Sequence, residues 1–276
     1  MPLPTPLRRL DVDLPACPQV LTRMMALMQD EDASLAEMAE LVEGDMALAA
    51  AVLRTVNSAM FGILRRVETV GEALRYLGMR EVTAITLHTA LRAAFPATPQ
   101  MEALWQHAGR SGLLMGRSAR ALGLDAMQAH SAGLFARSGQ AVLLAHAAER
   151  YGALLAALGS DREALRAAEI EAFGVDHGAY GSALCAAWGL APEVVHYVRE
   201  QLRAPEQWPR EPRGLRRLLA LGAVVEALLG EDDADAAAQT LAPAGDCSGA
   251  DLLAAVQAPW NRLRSGEQAA VASTVA

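Results

Sequence analysis

Apolar residues recur at helical spacing along most of the chain, and short polar or glycine-containing breaks separate the repeats. Val20, Leu21, Met24, Leu27 and Met28 form one such set over residues 18–28, which a polar run ends. Ser34-Leu-Ala-Glu37 then has the form of a capping box, a serine hydroxyl for an orphan backbone N–H and a glutamate that reaches back to the cap. Thr69-Val-Gly-Glu72 repeats the device. Between them, Gly44 divides a short helix ending near Glu43 from a longer one over 45–58, closed by Asn57, Ser58 and Gly62. These signals predict an N-terminal unit of five helices to about residue 95.

The breaker PATPQ at 96–100 precedes a helix over 101–122 with Gly109, Gly112, Gly116 and Ala119 along one face. An interior glycine costs a helix about 1 kcal/mol against alanine, so that bare face is read as room for the close approach of another helix. Further helices are expected over 126–148, 161–173, 177–188 and 192–202, the last opening with Pro192 at its favoured first position. Gly123, Gly174 and Gly189 punctuate them. Prolines and charges mark 203–214 as a linker, and 215–229 and 250–263 are amphipathic helices around acidic, turn-rich stretches. No repeat recurs at a fixed period. The expected organisation is a lead-in over 1–17, helical subdomains over 18–95 and 96–203, a linker at 204–214 and a C-terminal extension over 215–276.

Composition agrees with an all-α chain: alanine and leucine dominate, and aromatic residues make up only 4%. With 53% hydrophobic residues in 276, there is enough apolar side chain for one large core or two modest ones. A net charge of −8 disfavours nucleic-acid phosphates and anionic lipid surfaces. Cys17, Cys185 and Cys247 form neither a CxxC pair nor an even disulfide set, which fits a reducing compartment. The proline-rich opening at 2–18 offers no secretory apolar stretch, and later apolar runs fall short of the roughly 20 residues a membrane span needs. A cytoplasmic protein with no membrane contact is expected.

Divalent-metal hydrolysis needs several His, Asp or Glu side chains that converge to hold the ion and acidify a bound water. None of His88, His107, His130, His146, His177 and His196 is followed by aspartate, no HExxH occurs, and none is paired at helical spacing. No GxSxG elbow marks a nucleophile, and the phosphate-cradling GxGxxG and GxxxxGK[ST] loops are missing. Residues 34–58 have the outline of a helix-turn-helix. Their second helix carries Arg54 as its only cation, too little for a groove reader, so no direct DNA binding is expected.

The run LPACPQVLTRMMALMQDEDASLAEMAELVEGDMALAAAVLRTVNSAMFG at 14–62, followed by VETVGEALRYLGMREV, resembles the HDOD domain family, and the likeness extends to about residue 203. The resemblance implies an HD-like helical bundle with an N-terminal five-helix subdomain. It also implies a relative of metal-dependent phosphohydrolases that generally lacks their ligands and serves bacterial signalling and gene regulation. On this likeness LWQHAGRSG places His107 at a first metal histidine, and AGLFARSGQAV places Ala136 and Arg137 at the His-Asp doublet. FGVDHGAYG keeps His177 at a later histidine position, while Glu200, Gln201 and Leu202 fill a region that is often histidine-rich.

Arg137 puts a permanent positive charge where a dication would need negative ligands, so neither a metal site, a cofactor nor catalytic residues are expected. Set among Leu134, Phe135, Val142 and Leu143, an inward Arg137 requires an acidic partner or a bound anion. Candidate ligand contacts are therefore His107, Arg137 and His177. Asn57, Ser58, Phe61 and Gly62 read first as a helix C-terminus and tight turn, and alternatively as a corner that meets a partner. The leading functional expectation is a non-catalytic module that binds signalling or regulatory proteins. The alternatives are a nucleotide-sensing receptor that uses the former cleft, and a metal-dependent phosphohydrolase with residual activity.

Overall fold

The computed structural model describes residues 12–30, 32–57 and 65–275. Every regular element among these residues is helical, and the chain divides into two compact units.

One unit comprises Cys17–Ala94 with Gln257–Ala276. Its first part holds α1 (Gln19–Gln29), α2 (Leu35–Glu43), α3 (Met46–Val56), α4 (Val70–Leu77) and α5 (Met79–Ala93), the five helices read from the sequence. The capping box forms as expected: Ser34 Oγ accepts from the Glu37 N–H at 3.2 Å, and the Ser34 N–H donates to Glu37 Oε2 at 2.8 Å. These bonds hold the Glu37 carboxyl below the usual carboxylate range. At the second box Thr69 Oγ1 accepts from the Glu72 N–H at 3.1 Å, and the Glu72 carboxylate accepts from the N–H of Glu68 at 2.9 Å. Leu21, Met24, Met38, Val42, Val52, Leu74, Val82 and Leu91 fill the core of this unit.

The larger unit comprises Met1–Ala16 and Phe95–Val256. It opens with α6 (Pro99–Ser118), where Thr98 caps and Pro99 takes the first helical position, and a short 3-10 helix (Ala119–Leu122) follows. Next come α7 (Ala126–Phe135), α8 (Ser138–His146), α9 (Ala148–Leu158), α10 (Arg162–Phe173), α11 (His177–Ala187) and α12 (Pro192–Glu200). Asp125, Asp161 and Asp176 cap α7, α10 and α11 by accepting first-turn N–H groups. Gly123 and Gly174 end their elements in the left-handed region, at φ 68° and 81°.

The bare face of α6 packs as expected. A Cβ on Gly112 would come within 2.9 Å of the His130 carbonyl oxygen, and one on Gly133 of α7 within 2.8 Å of the Gly112 nitrogen, so backbone meets backbone there.

Two expectations need correction. The stretch 126–148 is not one helix: it breaks at Ala136 and Arg137, and the chain continues into α9, where no helix was expected. No proline signals that break, only the short polar run Arg137-Ser138-Gly139-Gln140, and α8 packs closely on α11 through Gly139. The second correction lies near the C-terminus. The stretches 231–236 and 243–249, read as turn-rich, flank and partly enter a further helix, α14 (Ala234–Gly245), between α13 (Arg213–Leu229) and α15 (Gly249–Val275), with Asp233 as the cap.

The proline-rich stretch after α12 holds a second 3-10 helix (Pro205–Arg210) and buries Trp208, whose indole N–H donates to the Arg203 carbonyl. Pro15 of the opening segment accepts from the Trp188 indole at 2.8 Å.

Candidate functional site

In the larger unit, α6 supplies His107, the turn between α7 and α8 supplies Arg137, and α13 supplies Glu226. The Glu226 carboxylate sits between the two bases: its Oε1 and Oε2 lie 2.9 and 3.0 Å from His107 Nε2, and its Oε2 accepts from Arg137 Nη2 at 2.7 Å. The exposure of these side chains falls from 34% for Arg137 to 21% for His107 and 17% for Glu226, so the carboxylate is the most enclosed member. Burial pushes the Glu226 carboxyl up, but the His107 hydrogen bond and the Arg137 charge outweigh it and hold the group well below the carboxylate range.

Arg137 can reach this partner because it stands where α7 has ended and α8 has not begun, at φ −104° and ψ 11°. One further contact fixes the turn: Gln201, at the end of α12, donates its side-chain N–H to the Ala136 carbonyl at 2.5 Å. The region that the family resemblance describes as histidine-rich thus serves here to brace the turn.

His177 does not join His107 and Arg137 on Glu226. Its Nδ1 faces the Glu169 carboxylate of α10 at 2.8 and 2.9 Å, its backbone N–H donates to the same group at 2.9 Å, and Tyr151 of α9 donates its hydroxyl to it at 2.5 Å. Glu169 and Tyr151 are wholly buried and His177 nearly so. Burial, then the adjacent Glu169 charge and hydrogen bond, push the Tyr151 hydroxyl far above its ordinary value. The hydroxyl therefore stays protonated and acts as a donor.

In the smaller unit, the Asn57 side chain donates to the Leu53 and Val67 carbonyls at 2.8 Å each and accepts from the Val67 N–H at 2.8 Å. The two Val67 bonds tie the end of α3 to the segment before α4, and the Leu53 bond closes the helix end. Ser58, Phe61 and Gly62 lie outside the described residues.

Among the described residues, no three His, Cys, Asp or Glu side chains group so as to hold a metal ion. A guanidinium stands at the centre of the site and already holds the nearest carboxylate, so the residues present do not fit a dication. Glu226 and Glu169 went unread in the sequence. The available signal for Glu226 was a single carboxylate inside the apolar run LLALGAVVEALLG.

The ion triad also gives stability a defined pH dependence. A carboxyl held lower in the folded than in the unfolded chain stabilises the fold above its unfolded value, and that contribution is lost as the pH falls through the folded one. Urea unfolding should therefore show wild type more stable than Glu226→Gln by a constant margin above about pH 5.5. The margin should shrink as the pH drops below about 4.

Comparison with known families matches the HDOD domain over residues 14–204. An uncharacterized protein of Treponema pallidum (strain Nichols) is 26% identical over 202 residues, which are 71% of this chain and 39% of that protein. The chain therefore spans well under half of that relative's length. A candidate phosphohydrolase from Shewanella amazonensis SB2B superposes with a TM-score of 0.71 at 20% identity, covering 95% of this chain and 97% of that one. An HDOD domain protein of unknown function from Geobacter sulfurreducens gives 0.71 at 19%, covering 92% of each chain. A candidate signal transduction protein from Marinobacter aquaeolei VT8 gives 0.71 at 20%, covering 96% of this chain and 63% of that one. At these identities the likenesses show a shared fold, the HD-like helical bundle.

Proposed function

Because the chain belongs to the HDOD domain family, matched over residues 14–204, we propose that it is a non-catalytic regulatory module acting through protein partners in the bacterial cytoplasm. The observation that carries this reading is the Glu226 carboxylate held between His107 and Arg137. In a phosphohydrolase, imidazoles and carboxylates at such positions would hold a metal and activate water. Here the same place is an ion pair that bolts α13 to α6 and to the α7–α8 turn, so its chemistry has become structural.

Exposed apolar side chains support a contact role. Of the four large hydrophobic residues that are exposed among the described ones, Leu35, Met46 and Tyr76 belong to the five-helix unit and Ile170 to the larger one, and Met46 is 85% exposed. No helix among the described residues is long and apolar enough to cross a membrane, which leaves these groups facing water or a partner. The Marinobacter protein of the same fold is itself a candidate signal transduction protein, which agrees with the proposal.

The reading is tested by reconstitution. Tagged full-length chain purified from its own cells should retain a protein in fixed stoichiometry, and the two purified components should bind each other. Met46→Glu should weaken that complex at least tenfold, whereas His107→Gln should leave its affinity unchanged. Loss of cellular function in a folded His107→Gln chain, with no partner bound by wild type, would contradict the proposal.

A further inference from the structure

We propose that Arg137 and His107 form an oxyanion site whose resident ligand is the chain's own Glu226 carboxylate, and that a phosphate group on a small molecule competes with that carboxylate for it. The inference rests on the reading of the pocket as non-catalytic, and adds what the pocket recognises.

The site has the chemistry of an anion receptor. A guanidinium offers five donors in a planar fork, and Arg137 engages Glu226 through Nη2. Its side chain is 34% exposed, the most open of the three. Arg137 is also the residue before α8, whose first turn has no side-chain cap. Glu226 supplies the one carboxylate that these groups hold in common with His107.

Opening the site does not require α13 to lift. That helix is fixed by buried Leu218, Leu221, Val224 and Val225, by Gly222 packed on the Tyr197 ring, and by Arg217, which donates to the Leu122 carbonyl at 3.2 Å. The Glu226 side chain is 17% exposed, and rotation about its own torsions would free the two bases while the backbone stays in place. A phosphate monoester carries up to two negative charges and three free oxygens, against one charge and two oxygens for a carboxylate. It can therefore meet both bases and more of the Arg137 fork than Glu226 does. A tethered competitor is present at high effective concentration, so the native chain should bind such a ligand weakly and the chain without it far more tightly.

The test is calorimetric titration of the full chain with inorganic phosphate and, separately, with adenosine monophosphate. Glu226→Ala should bind phosphate at least ten times more tightly than wild type, and Glu226→Ala combined with Arg137→Gln should lose that binding. If the alanine chain does not fold, Glu226→Gln removes the same charge with the same shape. Adenosine monophosphate bound more tightly than phosphate would assign a nucleotide as the ligand, and equal affinity would assign the phosphate group alone. A folded Glu226 variant that binds phosphate no better than wild type would overturn the inference, as would binding that survives the loss of Arg137. Metal uptake or turnover would sink the non-catalytic reading instead, so the failures of the two are distinguishable.

Discussion

Glu169→Leu is expected to destabilise the protein by about 4 kcal/mol, a large share of the roughly 5–15 kcal/mol that holds a domain folded. Glu169 is wholly buried and accepts from the Tyr151 hydroxyl, the His177 backbone N–H and His177 Nδ1. Leucine fills similar space and leaves each of those donors without an acceptor, at about 1–3 kcal/mol apiece before relaxation. Tyr151→Phe removes one donor and leaves the carboxylate its other bonds, so its cost should be nearer 1 kcal/mol. Equilibrium urea unfolding of the three chains measures both differences. A Glu169→Leu chain within 1 kcal/mol of wild type would show that the carboxylate does not organise α9, α10 and α11.

Gly139→Ala should be comparably damaging for a different reason. A Cβ at Gly139 would stand 1.8 Å from the His177 carbonyl oxygen and 2.7 Å from the Gly181 nitrogen. Both are backbone atoms of α11 that cannot turn aside, so α8 and α11 must separate. The expected loss is about 3 kcal/mol, seen as a melting temperature lower by roughly 6–12 °C. Gly152→Ala is the internal control. Gly152 lies in α9 with nothing within 4 Å of its would-be Cβ, and gains in helix propensity should raise stability by up to about 1 kcal/mol.

The parts of this molecule that were legible in the sequence are those whose causes are local. Ser34, Asp45 and Thr69 each bond an N–H within three residues, and a reader needs only that window to place the helix start. The glycine face of α6 was readable for a similar reason, since an unfavourable residue repeated at helical spacing needs a packing purpose. The break at Arg137 was passed over because its local signal, Ser138-Gly139 between Arg137 and Gln140, is short and set within the apolar runs of 126–148, while α6 and α11 set the geometry from far along the chain.

The candidate site divides along the same line. That Arg137 among apolar neighbours required an acidic partner or an anion followed from desolvation alone, and Glu226 is that acidic partner. Its identity did not follow: Glu226 is 89 residues from Arg137 and 119 from His107, beyond the segment that resembles the family. His177 was grouped with His107 by the same resemblance, yet Glu169 draws it into a separate buried cluster. Sequence placed the charges and left the pairings to the tertiary fold.

Calorimetric titration of purified, chelator-treated chain with Mn²⁺ tests most directly whether the site has exchanged metal chemistry for an internal ion pair. With Arg137 and His107 both engaged by Glu226, no saturable binding should appear at micromolar metal. Stoichiometric Mn²⁺ binding that disappears in His107→Ala would mean that the guanidinium is not seated where a dication would go, and would contradict the account.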